Sequence, residues 1–298
     1  MRDSAEGATL VRFETSLGGF NVQLFDDAMP RTVNNFLAYV NSGRYDGTAI
    51  HRNSDSRMED FVIQGGGFTF ADPVPPDPSA TMSSTRIVAD PPIADEPGGG
   101  VAGPSNVRRT LAMSKSGPNT VTSQWYFNQS DNSVLDDPSR TDGGYSAFGR
   151  VLGDGMQVVD AIGDLPVPVD FGFAIAAPFN DLPLRDFSGS SIRDVRVANT
   201  VTVDSISQLI ALDGDINLDG QVDRADFDIL FANFGLSSGA FLDQGDADMD
   251  GDVDGDDLAI LRSQVPEPTA GLLAMITVLA VPRARRQQGA NQPQSDAS

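Results

Sequence analysis

Cysteine is absent from the 298 residues, and histidine and lysine occur once each. Without thiols there is no disulfide, no thiolate nucleophile, no iron–sulfur cluster and no cysteine zinc site. A lone histidine, His51, excludes a histidine-rich metal centre and leaves any catalytic triad to that one residue. Basic side chains are scarce as well. Twenty Lys and Arg stand against 42 Asp and Glu, for a formal net charge of −22. Phosphate contacts need cations, so nucleic acid is excluded as a partner class; so dense an acid excess draws cations instead. A membrane-length apolar run is missing too, since Thr269–Val281 spans thirteen residues against the roughly 17–25 a bilayer needs. What remains for chemistry is arginine, carboxylates, amides and shape.

Hydrophobic content of 40% and charged content of 21% are those of a folded chain. The length suggests two domains at about 150 residues each, and the acid marks where one of them lies. Residues 210–260 hold fourteen Asp, no Glu and one basic residue, Arg224. The domain reading is a disordered N-terminus at 1–7, a first domain at 8–205, an acidic module at 211–264, a C-terminal segment at 265–286 and a disordered tail at 287–298.

In the first domain, Thr9–Phe13 and Phe20–Phe25 read as strands around a Leu17-Gly18-Gly19 turn. Pro30 opens a helix through Val33, Phe36, Leu37 and Val40 that ends at Ser42-Gly43. Met156, Val159 and Ile162 recur at helical spacing before Gly163. The rest is short apolar runs between Gly, Pro, Asn and Asp, which predicts a mainly β sandwich or barrel with two helices.

The segments ETSLGGFNVQLF, MPRTVNNFLAYVNSGRYDGTAIHR, FVIQGGGFT, TLAMSKSGPNTVTSQWYFN and GGYSAFGRVLGDGMQVVDAI resemble, in order, a bacterial-type cyclophilin, a peptidyl-prolyl cis/trans isomerase. The resemblance implies an eight-stranded antiparallel barrel capped by two helices, acting on proline-containing polypeptides without a cofactor. It implies a catalytic set of Arg52, Gln64 and Gln124. It implies a proline pocket and substrate contacts from Phe61, Val62, Ser114, Tyr126, Leu135 and Tyr145. His51 is read as structural. The chain departs from the family in Tyr126 for the usual Phe, Val62 for the usual Met, a polar run after His51, and a Pro- and Gly-rich stretch over 71–104. Val134 replaces the tryptophan that supports cyclosporin binding in eukaryotic members. These departures leave a non-catalytic, proline-binding barrel as the alternative.

The acidic module repeats at a period of 31 residues, from Asp215 to Asp226 and from Asp246 to Asp257. Oxygen-bearing side chains fall at loop positions 1, 3, 5, 9 and 12, as Asp215, Asn217, Asp219, Asp223 and Asp226, then Asp246, Asp248, Asp250, Asp254 and Asp257. Gln221 and Asp252, at position 7, complete the ligand sets, and Gly220 and Gly251 stand at position 6, where the chain must turn. This is an oxygen cage for a hard cation, and the reading is two structural Ca²⁺ ions. Position 12 is Asp rather than Glu, and an apolar helix follows each loop. The pair resembles a dockerin-type repeat, which implies a cohesin-like partner, although Arg224-Ala225 and Gly255-Asp256 replace the Ser/Thr pairs common at positions 10 and 11. Loss of calcium is expected to unfold the module and leave the barrel untouched.

The C-terminal segment runs from Val-Pro-Glu-Pro at 265–268 through the apolar run to Arg283, Arg285 and Arg286. It resembles a PEP-CTERM sorting signal, which implies export to the periplasm or cell surface, with transient membrane engagement before processing. MRDSAEGATL has no apolar core of a signal peptide, so the expectation is a true start upstream.

Overall fold

The computed structural model describes residues 8–54, 61–74, 76–77, 79–96 and 104–265. The sorting-signal resemblance and both terminal segments read as disordered therefore lie outside the described residues, apart from Val265. No helix among the described residues is long and apolar enough to cross a membrane.

Among the described residues, eleven strand segments form one antiparallel sheet: β1 Leu10–Thr15, β2 Gly18–Leu24, β3 Thr48–Ile50, β4 Arg52–Asn53, β5 Val62–Gly65, β6 Phe68–Ala71, β7 Ser83–Arg86, β8 Thr110–Met113, β9 Trp125–Asn128, β10 Ala147–Val151 and β11 Val201–Gln208. Their order is β4-β5-β9-β8-β10-β2-β1-β11-β3-β6-β7. The sheet curls back on itself because β3 and β4 are halves of one course. β3 pairs with β11 and β6, and β4 pairs with β5. Between the halves, the His51 N–H donates to the Gln64 carbonyl at 2.9 Å. β5 and β6 are likewise one course, broken at Gly66-Gly67. Counted as courses, eight strands close the ring, and β7 is appended to β6.

Helix α1, Pro30–Asn41, starts on a proline, whose missing N–H costs nothing in a first turn. It buries Val33, Phe36 and Val40, spaced three and four apart, against the barrel. Helix α2, Met156–Gly163, does the same with Met156, Val159 and Ile162. The hairpin joining β1 and β2 is tighter than the sequence suggests. Thr15 pairs directly with Gly18, so Ser16-Leu17 alone form the turn, and Gly18 takes φ +127 inside the ladder. Inside the barrel, Phe13 meets Trp125 edge-on at 5.3 Å and Phe127 at 5.2 Å, and Phe20 meets Phe127 at 5.2 Å. Each such buried ring is worth about 1.5–3 kcal/mol of transfer free energy.

Two further helices, α3 Arg224–Asn233 and α4 Gly255–Gln264, each follow one acidic loop. Asp223 and Asp254 cap them: each side chain accepts the N–H two residues on, at 2.8 and 2.7 Å. Their apolar cluster, with Ile216, Leu230, Leu242, Val253 and Leu261, includes Leu10 and Leu152 of the barrel.

Candidate active site and acidic loops

Strand alternation decides which side chains reach the outer face. Ile63, Leu111, Met113, Trp125 and Phe127 point into the barrel core. Their neighbours must point out. Arg52 stands opposite Gln64, Gln64 opposite Tyr126, and Tyr126 opposite Ala112, in one row across β4, β5, β9 and β8. Two residues along from members of this row, on the same face, come Val62, Ser114 and Gln124. The glycine run after Gln64 permits this packing: a Cβ on Gly65 would lie 2.6 Å from the Trp125 ring, and Gly66 takes φ +74.

The six apolar residues of the face form one cluster. Val62, Ala112, Tyr126 and Leu135 are buried in it, with Phe61 and Tyr145 packed against them. The amide Gln64 Nε2 donates to Gln124 Oε1 at 2.8 Å and to Ser114 Oγ at 3.1 Å. The structure thus brings together all nine residues singled out in the first domain: Arg52, Phe61, Val62, Gln64, Ser114, Gln124, Tyr126, Leu135 and Tyr145. Val134 is 66% exposed beside the cluster.

His51 is buried and packs edge-on against Phe68 at 4.9 Å. Burial lowers its pKa to about 4, and the nearby Arg52 charge adds to this. It is neutral at pH 7 and sits behind the face. Burial also pushes the Tyr126 hydroxyl well above its usual range.

Three contributors have no signal in the sequence. Ala112 completes the pocket floor. Asn106, fully buried, ties three walls together: Tyr126 Oη donates to its Oδ1 at 2.7 Å, and its Nδ2 donates to Asp136 Oδ1 at 2.7 Å and to the Tyr145 carbonyl at 3.0 Å. Asp181 holds the strand that carries Arg52. Its carbonyl accepts the Asn53 N–H at 2.6 Å, and its carboxylate lies 3.7 Å from Arg52 Nε.

An apolar pocket beside an exposed guanidinium and a row of amides can grip a proline ring and its flanking peptide. The family whose sequence profile matches residues 10–175 is the cyclophilin type peptidyl-prolyl cis-trans isomerase/CLD family. The chain belongs to the cyclophilin family. Relatives agree. A peptidyl-prolyl cis-trans isomerase of Acinetobacter baylyi is 38% identical over 159 residues, 53% of this chain and 73% of that protein. Cyp18 of Streptomyces antibioticus is 41% identical over 155 residues, 51% of this chain and 81% of its own length. Isomerase B of Escherichia coli is 36% identical over 156 residues, 51% of this chain and 83% of its own length. This cyclophilin is therefore a peptidyl-prolyl cis-trans isomerase.

The profile match ends at residue 175, short of the acidic loops. The two loops are built alike. In the first, Asp215 accepts the N–H groups of Asp219 and Gly220, and Asp226 those of Ile216, Asn217 and Asp223. In the second, Asp246 accepts those of Asp250 and Gly251, and Asp257 those of Ala247, Asp248 and Asp254. Gly220 and Gly251 take φ +90 and +96, the left-handed turn their position requires. Carboxylate oxygens of Asp246, Asp248 and Asp250 lie within 4.8 Å of one another, as do those of Asp252, Asp254 and Asp257. Burial, then the charges of Asp257, Asp248 and Asp250, push Asp246 up to about 7. Among the described residues the buried Asp252 Oδ1 has no hydrogen-bond partner. All-oxygen donors crowded to this degree fit a hard divalent cation. Gln221, Asn217 and Asp219 complete the first loop, where two amides replace carboxylates of the second.

Proposed function

We propose that this isomerase acts on X-Pro bonds of exported or surface proteins through Arg52, and that its acidic repeat is a calcium-dependent docking module. The observation that carries the catalytic reading is the single row of Arg52, Gln64, Tyr126 and Ala112 across four strands, with the apolar pocket beside it.

Prolyl isomerisation breaks no bond and moves no proton. Its barrier is about 18–20 kcal/mol of amide resonance. Phe61, Val62, Tyr126 and Leu135 hold the proline ring, Tyr145 closes the pocket, and Ser114, Gln64 and Gln124 hold the flanking backbone. Arg52 donates to the prolyl nitrogen, whose lone pair is free only when the amide has twisted. The hydrogen bond therefore strengthens in the transition state and lowers the barrier.

Asp215, Asn217, Asp219, Gln221, Asp223 and Asp226 would hold one Ca²⁺, and Asp246, Asp248, Asp250, Asp252, Asp254 and Asp257 the other. Each ion would supply the positive charge that a ring of carboxylates lacks. A cohesin-like domain is the partner that the dockerin resemblance suggests. The PEP-CTERM-like tail supports export, with processing at the membrane.

A protease-coupled assay on a proline tetrapeptide tests the catalytic half; isomerisation no faster than the spontaneous rate would sink it. Calorimetric titration tests the other half, with two calcium ions per chain expected and an absence of binding heat against it.

A further inference from the structure

The short turn Leu242–Gln244 leads into the second acidic loop and docks against the outside of the barrel. Asp243 Oδ1 meets Arg150 at 2.9 Å; its Oδ2 meets Arg109 at 3.2 Å and accepts the Gly153 N–H at 2.9 Å. This side chain is only 14% exposed. On either side, the Leu242 N–H donates to the buried Gln23 Oε1 at 3.1 Å, and Phe241 lies under the Arg150 guanidinium at 4.1 Å and beside Phe25 at 6.0 Å. Arg109 takes φ +81, a conformation that residues with side chains avoid. From there it donates to the Val151 and Gly153 carbonyls, so the socket is braced from the barrel side. Burial and the neighbouring Arg150 both work against the Arg109 cation, and Asp243 offsets them in part.

Below this socket the two loops reach the same apolar cluster. Ile216 follows the first residue of the first loop, and Val253 stands at position 8 of the second. Both are buried with Leu10 and Leu152. The expectation of a module that unfolds alone takes no account of these contacts.

We propose that the acidic repeat is a built-in clamp on the barrel: Asp243 plugs the Arg109–Arg150 socket, and filling of the two loops is transmitted through Ile216 and Val253 to Leu10 and Leu152. The second half rests on the calcium reading above. Without cations the carboxylates repel one another, the loops loosen, and the shared cluster loosens with them. The barrel is then less stable although no ligand touches it.

The chain carries its own reporter. Its one tryptophan, Trp125, and its four tyrosines, Tyr39, Tyr45, Tyr126 and Tyr145, all lie in the barrel. Tryptophan fluorescence during heating of the full chain therefore reads the barrel alone. In wild type, chelation should lower that midpoint by at least about 3 °C. In Asp243→Ala, calorimetry should still show two ions bound, while the midpoint responds to chelation by less than half as much. Two ions bound in wild type with an unmoved midpoint would overturn the coupling and leave the calcium reading standing. No binding heat would overturn the calcium reading and the coupling together. Hydrogen exchange of the Gly153 and Leu242 amides then decides the socket: protection in wild type that is lost in Asp243→Ala supports it, and free exchange in wild type refutes it.

Discussion

Arg52 and Gln64 face each other across the β4–β5 ladder, and the Gln64 amide in turn holds Gln124 and Ser114. The group assigned to the reacting nitrogen and the groups assigned to the substrate backbone thus share one rigid register. A one-residue slip of β4 would turn Arg52 into the core. Asn53 prevents that slip. It is buried, with its Nδ2 on the Gly163 carbonyl at 2.5 Å and its N–H on the Asp181 carbonyl.

Asp181 is placed to position Arg52, with its carboxylate 3.7 Å from Nε. A half-exposed ion pair of this kind is worth about 0–1 kcal/mol, which is up to roughly five-fold in rate. Asp181→Asn keeps the backbone bond to Asn53 and removes only the charge. We expect kcat to fall about two- to five-fold with little change in KM or in melting temperature. Unchanged kcat would show that the guanidinium is placed without it.

Tyr126→Phe tests the hydroxyl behind the pocket. The ring supplies the apolar wall, so kcat/KM should stay within about three-fold of wild type. The lost hydrogen bond leaves Asn106 Oδ1 with Asn128 Nδ2 at 3.1 Å as its remaining donor. Urea unfolding should therefore show a loss of about 1 kcal/mol. A large fall in rate with full stability would mean the hydroxyl contacts substrate.

His51 gives the barrel a stability that depends on pH. Its folded pKa of about 4 lies below the ordinary 6.5. Above about pH 6.5 the ring is neutral in both states and the barrel keeps its full stability. Between about 6.5 and 4 the unfolded chain takes up a proton that the folded chain refuses, so stability falls as pH falls. The loss approaches about 3 kcal/mol near pH 4. Denaturation followed by Trp125 fluorescence should show this slope in wild type and a flatter one in His51→Gln. Parallel slopes would contradict the assignment.

Much of this was legible in the sequence because it was local. The Pro30 start of α1, the Gln64-Gly-Gly-Gly run and the two evenly spaced loops each declare themselves within a dozen residues. Even there the β1–β2 turn came out shorter, since cross-strand pairing of Thr15 with Gly18 overrides the turn propensity of two glycines. The rest depends on distant partners. Nothing in an Asn-Val-Arg-Arg stretch marks Asn106 as the link between Tyr126, Asp136 and Tyr145. Among fourteen aspartates, nothing marks Asp243 as the one that reaches Arg109 and Arg150 of the barrel. Asp181 is as anonymous, because its role arises only when residues 181 and 52 are folded against each other.

The most direct test of the account is Arg52→Ala against wild type on one proline peptide. Losing a single preorganised donor should lower kcat/KM by a factor on the order of 10² to 10³. Arg52→Lys should not restore it, because an ammonium lacks the planar fork. Arg52→Ala with the wild-type rate, or a wild type no faster than the spontaneous reaction, would contradict the role given to Arg52.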